Sequence, residues 1–345
     1  MPSEIRLSVI IPAYNPGKKI IPCLVELLKN LEYLSKFTNL IYEILIINDG
    51  GDKIDLSLIE NDKKIKLINL RKNKGVGFAR QFGLKVSQFD YLFYLDSDVV
   101  MENQNTLKVL FDDFLSNKMF GSIGPVMSYH NLNKAYSSNF VAAKTCYGYD
   151  QEDPLIEFSG MRSECGLIEK NFLRSIGGWS FIPGAGGEEF VLGHRIIKAG
   201  KKNIVTKNTN YSTFYDNLYN RCKKIISRTS AYLPIFINRK KFESRGAFAT
   251  FNQSLSTLIT SLLILLIILS FFINELNILV PILLVLNLLI EFTFLRFCMK
   301  HYSKLDLPIY IIGIFVINIS IIIGVLLGIY KLSFVLKKIR NKNYI

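Results

Sequence analysis

The sequence has little of what marks a disulfide-stapled or metal-cluster protein. Its five cysteines include no CxxC pair and no spacing typical of zinc ligands, and their number is odd. We therefore expect reduced thiols in a cytosolic protein rather than a disulfide framework. We also expect no signal peptide, because the first apolar run, residues 7–11, is too short for the hydrophobic core of one.

Charge is nearly balanced or absent over one long part of the chain and concentrated beside it. Residues 246–330 carry three acidic and three basic residues, whereas residues 216–245 have a net charge of +6 and residues 331–345 one of +5. A nucleic-acid-binding protein would more typically spread its excess positive charge over a folded face. Basic clusters that border apolar stretches are typical of cytosolic flanks beside anionic lipid headgroups. We therefore expect membrane lipids as partners and no nucleic acid.

Three apolar segments have the length of membrane spans, at residues 254–273, 276–295 and 307–330. The first and third contain no charge and are long enough to cross about 30 Å of hydrocarbon. The second carries Glu291 near its end. Three crossings would put the basic tail opposite the cytosolic side, against the positive-inside tendency, so a re-entrant or interfacial segment remains the alternative.

The first 215 residues alternate between short apolar runs and amphipathic stretches. The runs predict buried strands at residues 7–12, 42–47, 65–70 and 91–95, and the amphipathic stretches predict helices at 18–36, 75–87 and 188–199. Strands that alternate with helices predict an α/β domain with a mostly parallel sheet. Polar residues follow three of these strands, where the ligand crevice of an open α/β sheet lies.

The most specific local signal is a pair of aspartates two residues apart. Asp96 and Asp98 directly follow the apolar run at residues 91–95. Two carboxylates at a strand end can share one hard divalent cation, which would neutralise a diphosphate leaving group. Taken alone, the pair is more typical of two solvated acids in a turn.

Six motifs in order resemble the family 2 glycosyltransferases of the GT-A fold. They are SVIIPAYN (8–15), EILIINDGG (43–51), NLRKNKGVGFARQFGLK (69–85), YLFYLDSDVV (91–100), FSGMRSECGLIEKNFLRSIGGWSF (158–181) and GGEEFVLGHRIIKAGKK (186–202). Each motif is moderately specific, and their common order and spacing are strongly specific. The resemblance covers residues 5–215 and implies a GT-A (Rossmann-like) domain followed by C-terminal transmembrane helices.

The domain expectation divides the chain into four parts. They are a catalytic domain at 1–215, a basic amphipathic linker at 216–250, transmembrane helices at 251–336 and a basic tail at 337–345.

The resemblance implies that four residues surround the base of a nucleotide-sugar donor. Pro12, Ala13 and Tyr14 would enclose the nucleobase, and Asp49 would hold its edge. Tyr14 has core packing as its alternative role. For Asp49 the alternative is an Asx turn, because Asn-Asp-Gly-Gly is favourable turn sequence.

Further residues would hold the rest of the donor. Lys74 and Arg80 lie in a segment that helps to hold it, and Gly160 would leave room for the donor sugar. Asp96 would touch the ribose or a metal-bound water. Asp98 would ligate Mg²⁺ or Mn²⁺.

The acceptor side is expected to hold the catalytic base. Glu189 aligns with the family's general base and Glu188 with the acid before it. The family commonly has Glu-Asp or Asp-Asp here, so the choice between the two glutamates stays open, and acids that stabilise a helix start are the alternative. Trp179 would line the acceptor site or pack in the core.

Two departures from the family pattern shape the expectation. Many relatives complete the metal site with a histidine that would fall in residues 210–215, where this chain has none. A cation would therefore be held mainly by Asp98, diphosphate and water. The QxxRW pattern of processive synthases is also absent, which argues against a polymerase. Arg221 and Arg228 resemble basic residues that can meet the diphosphate, although membrane-surface charge is the favoured alternative.

The sequence thus predicts a membrane-anchored, inverting, non-processive glycosyltransferase with its catalytic domain on the cytosolic side of the cell membrane. The donor would be a nucleotide sugar, by default a UDP-sugar, and the acceptor a hydroxyl of a lipid-linked compound or a glycan. One alternative is a polyprenyl-phosphate sugar synthase. An alternative of another class is a catalytically silent GT-A scaffold. A transporter is disfavoured, because Glu291 is the one ionisable residue within the predicted spans.

Overall fold

The structure is a computed structural model. It describes residues 4–56, 63–133, 137–180, 187–243 and 250–340, with side chains as far as Leu332. The chain divides into two compact units. The first unit comprises Met1–Leu132 and Tyr149–Phe214, and the second comprises Asn133–Gly148 and Tyr215–Ile345. The segment Asn133–Gly148 thus belongs to the second unit, although it lies inside the sequence range expected for the catalytic domain.

Nine strands and eleven α-helices make up the described part of the chain. The strands are β1 (Glu4–Ala13), β2 (Asn39–Asn48), β3 (Ile65–Asn69), β4 (Tyr91–Leu95), β5 (Val99–Met101), β6 (Phe120–Asn131), β7 (Leu155–Phe158), β8 (Cys165–Glu169) and β9 (Lys202–Thr213). The helices are α1 (Ile20–Ser35), α2 (Val76–Val86), α3 (Thr106–Ser116), α4 (Ser137–Cys146), α5 (Lys170–Ser175), α6 (Glu188–Lys198), α7 (Leu218–Arg239), α8 (Phe251–Ser270), α9 (Leu279–Ile290), α10 (Phe292–His301) and α11 (Leu307–Arg340).

All nine strands join one mixed sheet in the first unit. Its order is β3-β2-β1-β4-β8-β6-β9-β5, and β7 pairs with β9. The β3-β2-β1-β4 half is parallel, whereas β8 runs antiparallel to both β4 and β6. The predicted strands are therefore present and the expected mostly parallel α/β sheet is confirmed.

The central strand β1 is buried on both faces, which explains why its sequence is an unbroken apolar run. Successive side chains of a strand point to opposite faces. Accordingly Val9 and Ile11 pack in one hydrophobic cluster with Leu27 of α1. Ile10 packs in the other cluster with Ala79 of α2. Helices therefore cover both faces of the parallel half, as such sheets require.

The antiparallel pairing of β4 with β8 decides what meets the end of β4. Leu95, the last residue of β4, lies opposite Cys165, the first residue of β8. The residues that precede β8 therefore lie beside those that follow β4. This register brings Glu164 next to Asp96, whose backbone N–H donates to the Glu164 carbonyl oxygen at 2.8 Å.

The second unit contains the apolar C-terminal helices. Phe251–Ser270 and Lys304–Leu332 are each long and apolar enough to cross a membrane. Between them, Asn274–Ile290 and Phe292–His301 pass the same test only as a pair, and they are bent by 57° at Glu291. The segment expected at residues 276–295 is thus two helices with a break, which is either a broken span or a re-entrant loop.

The break at Glu291 coincides with a buried ion pair. Oε2 of Glu291 lies 2.7 Å from Nζ of Lys144 on α4. The Lys144 ammonium also lies 4.5 Å from the ring centroid of Phe294. Phe140 of α4 packs edge-on against Phe294, with the ring centroids 6.1 Å apart. These contacts explain why α4 groups with the C-terminal helices.

A polar network joins three of the apolar helices. The Asn318 side chain on α11 donates to the hydroxyls of Ser256 and Thr260 on α8, at 2.9 Å each. Asn287 on α9 donates to the Thr260 hydroxyl at 3.0 Å. Both asparagines are fully buried. In an apolar environment such bonds fix which helix faces meet, since an unpaired amide there is costly.

In the described residues 216–243 of the basic region expected to form amphipathic helices, the structure has one helix, α7. Pro234 lies within α7, and Asn217 caps its start by accepting a hydrogen bond from the Asn220 backbone N–H at 2.9 Å. Gly324 and Gly328 of α11 face α7, since a Cβ at either position would lie within 2.8 Å of its side chains. These two glycines allow the helices to approach closely.

Candidate functional site

The site is built where the parallel strands β1, β2 and β4 end. In the β1–β2 ladder Ala13 lies opposite Asn48, and the Asp49 backbone N–H donates to the Ala13 carbonyl oxygen at 2.8 Å. Pro12 and Ala13 are buried in β1, which continues one residue beyond the expected end. Tyr14 follows it with 54% of its surface exposed. An exposed ring beside a strand end is available to stack on a base.

The buried carboxylate of Asp49 holds the loop that leads into α2. Its Oδ1 accepts from the Lys74 backbone N–H at 3.0 Å and its Oδ2 from the Gly75 backbone N–H at 2.7 Å. Gly75 has a φ of +94°, a conformation that favours glycine. Asp49 therefore organises the loop whether or not it also contacts a base. The Lys74 ammonium, on an exposed side chain, lies 4.2 Å from the ring centroid of Phe78.

Arg80 and Asp96 form the central ion pair of the site. Nη2 of Arg80 donates to Oδ1 of Asp96 at 2.8 Å, and the Arg80 side chain is buried. Burial raises the pKa of Asp96 to about 6, with the charges of Asp98 and Glu164 adding to the rise and Arg80 opposing it. A carboxyl group with that pKa changes charge close to neutral pH.

Asp98 lies one turn residue beyond Asp96 and is half-buried. Its backbone carbonyl oxygen accepts from the Thr213 hydroxyl of β9 at 3.2 Å. The charge of Asp98 also acts on Cys23 of α1. The pKa of the Cys23 thiol is raised mainly by burial, and the negative charges of Asp98 and Asp96 add to the rise. The two aspartates sequence analysis singled out are thus close to each other at the end of β4.

The aspartates fit a hard cation, but they do not enclose one. Carboxylate oxygens are the ligands that Mg²⁺ and Mn²⁺ prefer, and one Asp96 oxygen is already bonded to Arg80. Within the described part of the chain, no group of three or more His, Cys, Asp or Glu side chains could hold a metal ion. Asp98, with or without Asp96, would therefore need diphosphate oxygens and water to complete a coordination shell.

One histidine, His130, does lie close to the region where relatives would complete the metal site. Nδ1 of His130, on β6, is 3.5 Å from the Ser212 hydroxyl of β9 and 3.7 Å from a Glu102 carboxylate oxygen. Ser212 itself donates to Glu102. Ser212 is one of the residues 210–215, where relatives would place a histidine. Sequence analysis did not connect His130 with that region, because the strand pairing of β6 with β9 brings them together.

The two candidate base residues begin α6 but differ in exposure. Gly187 precedes them with a φ of +98°. Glu188 is 3% exposed, and its Cγ lies 3.0 Å from where a Cβ on Gly77 of α2 would be. Glu189 is half-buried, and its charge acts on Arg80. Glu189 is thus the more accessible of the two acids.

Close packing of glycines sets the position of Glu189 relative to Gly160. A Cβ on Gly193 of α6 would lie 2.4 Å from the Ser159 carbonyl oxygen and 2.6 Å from the Gly160 Cα. The Met161 backbone N–H also donates to the Glu189 carbonyl oxygen at 3.0 Å. The start of α6 is therefore fixed against the chain around Gly160, whose own Cβ would touch the rings of Phe158 and Phe190.

Trp179 lies beneath the Arg80–Asp96 pair and is only 5% exposed. Its ring packs edge-on against Tyr94 with the centroids 5.1 Å apart, and the Arg80 guanidinium lies 5.1 Å from its centroid. Its backbone N–H donates to the Gln81 side-chain oxygen at 2.8 Å. In this structure Trp179 supports Arg80 from the core, and its acceptor-side role remains a prediction.

Sequence reasoning missed Arg162 and Glu164. Nη2 of Arg162 lies 2.7 Å from Oε1 of Glu164, and the Tyr211 hydroxyl donates to the same oxygen at 2.8 Å. Arg162 also donates to the hydroxyls of Tyr149 and Tyr211. The available signal was a pair of opposite charges two residues apart, directly before the apolar strand β8.

Comparison with known proteins agrees with this architecture. Residues 8–168 match the model of the family described as Glycosyl transferase family 2. These residues form a family 2 glycosyltransferase domain. The expected GT-A domain followed by apolar C-terminal helices is thereby confirmed.

Relatives of this glycosyltransferase domain differ in their named activities. A dolichyl-phosphate beta-glucosyltransferase of Trichomonas vaginalis is 33% identical over 102 residues, which is 28% of this chain and 30% of the relative. A poly-beta-1,6-N-acetyl-D-glucosamine synthase of Staphylococcus epidermidis is 26% identical over 182 residues, which is 50% of this chain and 42% of the relative. The chain thus covers less than half the length of either protein.

A solved structure shares the fold of the glycosyltransferase domain and helices. It is a mannosyltransferase from Pyrobaculum calidifontis in complex with GDP-Man and Mn²⁺, with a TM-score of 0.56 and 13% sequence identity. The superposition covers 95% of this chain and 88% of that one. At this identity the similarity establishes the fold alone.

Proposed function

We propose that the protein is a membrane-anchored, inverting, non-processive glycosyltransferase. It would move a sugar from a nucleotide-diphosphate donor, by default a UDP-sugar, to a hydroxyl of a lipid-linked compound or a glycan. The catalytic domain would act on the cytosolic side of the cell membrane. Family membership supports glycosyl transfer, and the rest of this statement depends on the site described above.

One observation carries the proposal. The buried Arg80 side chain binds Asp96 at 2.8 Å, and the charge of Glu189 acts on the same guanidinium. The aspartate motif and the candidate base are far apart in sequence, yet the charges of both act on one cation. A nucleophile activated by Glu189 and a diphosphate that leaves near Asp96 would therefore lie within one site.

Each residue then has a distinct task in a single displacement. Glu189 takes the proton of the acceptor hydroxyl as that oxygen attacks the anomeric carbon. The bond from the anomeric carbon to the diphosphate oxygen breaks, and the diphosphate leaves with its negative charge. Arg80, fixed by Asp96 and Trp179, supplies positive charge close to that side of the site. Glu188 is buried against α2 and positions Glu189.

A divalent cation fits this scheme, with Asp98 as its principal protein ligand and Asp96 as the second. Bound there, Mg²⁺ or Mn²⁺ would neutralise charge on the departing diphosphate. The Mn²⁺ in the mannosyltransferase of the same fold is consistent with that proposal.

The apolar helices favour an acceptor that reaches the site from a membrane. Two of them are long and apolar enough to span it, and the basic helix α7 precedes them. A second candidate function is a polyprenyl-phosphate sugar synthase, because relatives from Trichomonas vaginalis and Drosophila melanogaster are named dolichyl-phosphate beta-glucosyltransferases. Such an acceptor is already an anion and needs little base catalysis.

The deciding experiment uses the full chain in detergent. Nucleotide sugars are screened for transfer with Mg²⁺ or Mn²⁺, using either a polyprenyl-phosphate or a membrane-lipid extract as the acceptor. Wild type is compared with Asp98→Ala, Glu189→Gln and the control Glu157→Gln, whose exposed carboxylate lies on β7 and pairs with Lys202. We expect both site variants to lose transfer and the control to retain it.

The other outcomes separate the alternatives. Transfer to polyprenyl-phosphate that survives Glu189→Gln but not Asp98→Ala would identify the polyprenyl-phosphate synthase. A wild-type protein that neither binds nor uses any nucleotide sugar under any metal condition would identify a silent scaffold. Repeated addition of sugars to one acceptor would contradict the non-processive part of the proposal.

A further inference from the structure

The carboxylate of Glu164 stands in the proposed site without a role in the mechanism above. Its backbone carbonyl oxygen accepts from the Asp96 N–H at 2.8 Å, so the two residues are adjacent across the β4–β8 pairing. The Glu164 side chain is 26% exposed, close to the 28% of Asp96. Its charge acts on both Asp96 and Arg80. Glu164 therefore borders the region where a donor diphosphate and its sugar would lie.

The side chains of two neighbouring residues bind the same oxygen of this carboxylate. The bonds from Arg162 and Tyr211 both end on Oε1. Among the residues that the structure describes, no other residue donates a hydrogen bond to Oε2. An ionised carboxylate accepts up to about four hydrogen bonds, so it retains the capacity to accept from a ligand.

The group is also held in place by a buried cation. The Arg162 guanidinium is buried and lies 5.0 Å from the ring centroid of Tyr149 and 5.7 Å from that of Tyr211. Nη2 of Arg162 lies 2.7 Å from Oε1 of Glu164, and the Tyr211 hydroxyl donates to the same oxygen at 2.8 Å. These two partners fix the position of the carboxylate.

Glycines keep this segment in place. A Cβ on Gly166 would lie 1.9 Å from the Arg162 carbonyl oxygen, and one on Gly124 would lie 2.5 Å from the Arg162 Cβ. Both sites thus require glycine for the chain to pass so close. A carboxylate positioned this tightly is pre-organised to discriminate between ligands rather than to adapt to them.

We propose that Glu164 is a specificity-determining residue that accepts hydrogen bonds from the transferred sugar of the donor. This inference rests on the proposed glycosyl transfer. The chemistry that fits is a donor sugar with a free hydroxyl or amide N–H on the side that faces β8. As the counter-ion of Arg162, Glu164 uses Oε1, while 26% of its side chain remains exposed next to Asp96.

The test separates binding of the sugar from binding of the nucleotide. Dissociation constants of UDP-glucose, UDP-N-acetylglucosamine and GDP-mannose are measured by calorimetry with the full chain in detergent, beside UDP and GDP as sugar-free probes. In Glu164→Gln we expect the bound nucleotide sugar to weaken about tenfold, because a hydrogen bond to a charged group is lost. Binding of the matching nucleotide diphosphate should stay within about twofold.

Two further variants keep the test decisive. Tyr211→Phe retains the ring and the Glu164 carboxylate but removes one bond that holds it, so it should weaken nucleotide-sugar binding selectively by about threefold. Glu157→Gln removes an exposed carboxylate elsewhere and should change neither ligand's affinity. If Glu164→Gln does not fold, as judged by thermal unfolding, the result for Tyr211→Phe decides.

Each remaining result overturns the inference. Equal weakening of nucleotide and nucleotide sugar would show that Glu164 acts on the nucleotide or on the whole site. Unchanged nucleotide-sugar affinity in a folded Glu164→Gln would leave glycosyl transfer intact and reject the sugar contact. A wild-type chain that binds nucleotides but no nucleotide sugar would reject both this inference and the proposed function.

Discussion

Nη2 of Arg80 lies 2.8 Å from Oδ1 of Asp96, and the two side chains meet beneath the end of β4 with the Trp179 ring behind them. Arg80 is buried and Asp96 is partly exposed. The guanidinium therefore cannot move away without leaving a charge unpaired in the core. The ion pair with Arg80 therefore fixes the position of the Asp96 carboxylate.

Replacing Arg80 with lysine should reduce activity strongly, although the positive charge is kept. Lysine lacks the planar fork that bonds Asp96 and lies over Trp179. We expect kcat/KM to fall by roughly 10- to 100-fold, as for the loss of a hydrogen bond between charged groups. Steady-state transfer assays would measure this. Arg174→Lys, on an exposed position of α5, is the matched control, and an equal loss there would contradict the role assigned to Arg80.

The two glutamates at the start of α6 should respond differently to loss of charge. Glu189→Gln is expected to lower kcat by about 10²- to 10⁴-fold with little change in donor affinity, as for loss of a general base. Glu188→Gln alters a buried group packed on Gly77, so a lower melting temperature should be its main effect. Single-turnover transfer and thermal unfolding distinguish them. The reverse pattern would make Glu188 the base.

Activity should fall on the acid side as Asp96 becomes protonated. The pKa of Asp96 is raised from its ordinary value to about 6, principally by burial. If the ionised carboxylate is required, kcat/KM should rise with pH through about 6 and fall about tenfold per unit below it. A saturating divalent cation should move this limb to lower pH, because a cation favours the carboxylate. A pH profile that stays flat down to pH 5 at a subsaturating cation concentration would show that ionised Asp96 is dispensable.

The buried pair of Lys144 and Glu291 should stabilise the helical unit. Lys144→Met leaves Glu291 buried without its partner at 2.7 Å, and we expect a loss of about 3 kcal/mol. Thermal unfolding in detergent measures this loss. Replacing both residues, as Lys144→Met with Glu291→Leu, should restore most of the stability. Lys300→Met, at an exposed position of α10, should have little effect, and equal destabilisation there would count against the ion pair.

Several particular features were predictable because the environment of a residue leaves a local pattern. The apolar run of β4, which Asp96 directly follows, predicted both a buried strand and a polar group at its carboxyl end. The glutamates at residues 188 and 189 predicted a helix start, because acids stabilise the positive end of a helix. Long segments without charge predicted the apolar helices, because length and apolarity can be read directly from a local stretch of sequence.

Other features depend on partners that no local pattern names. Glu164 and Asp96 become neighbours only through the antiparallel register of β8 against β4. Asp49 holds the backbone of Lys74 and Gly75 only because β3 pairs with β2, with Asn69 opposite Asn48. The predicted strands were compatible with that arrangement, but their sequences do not state their register.

The sequence by itself determined the class of this protein: an α/β glycosyltransferase domain, then basic residues, then apolar helices. Composition and periodicity suffice for the order of these segments, because they record whether each segment meets core, water or hydrocarbon. The glycosyltransferase assignment comes instead from the resemblance of six ordered motifs to that family. The tertiary structure alone decided that Asn133–Gly148 packs with the C-terminal helices, through Lys144 and a glutamate far along the chain. It also decided that Glu164 stands beside the aspartate motif. Contacts between residues that are distant in sequence form only when the chain folds. No local sequence pattern states which distant residues will meet.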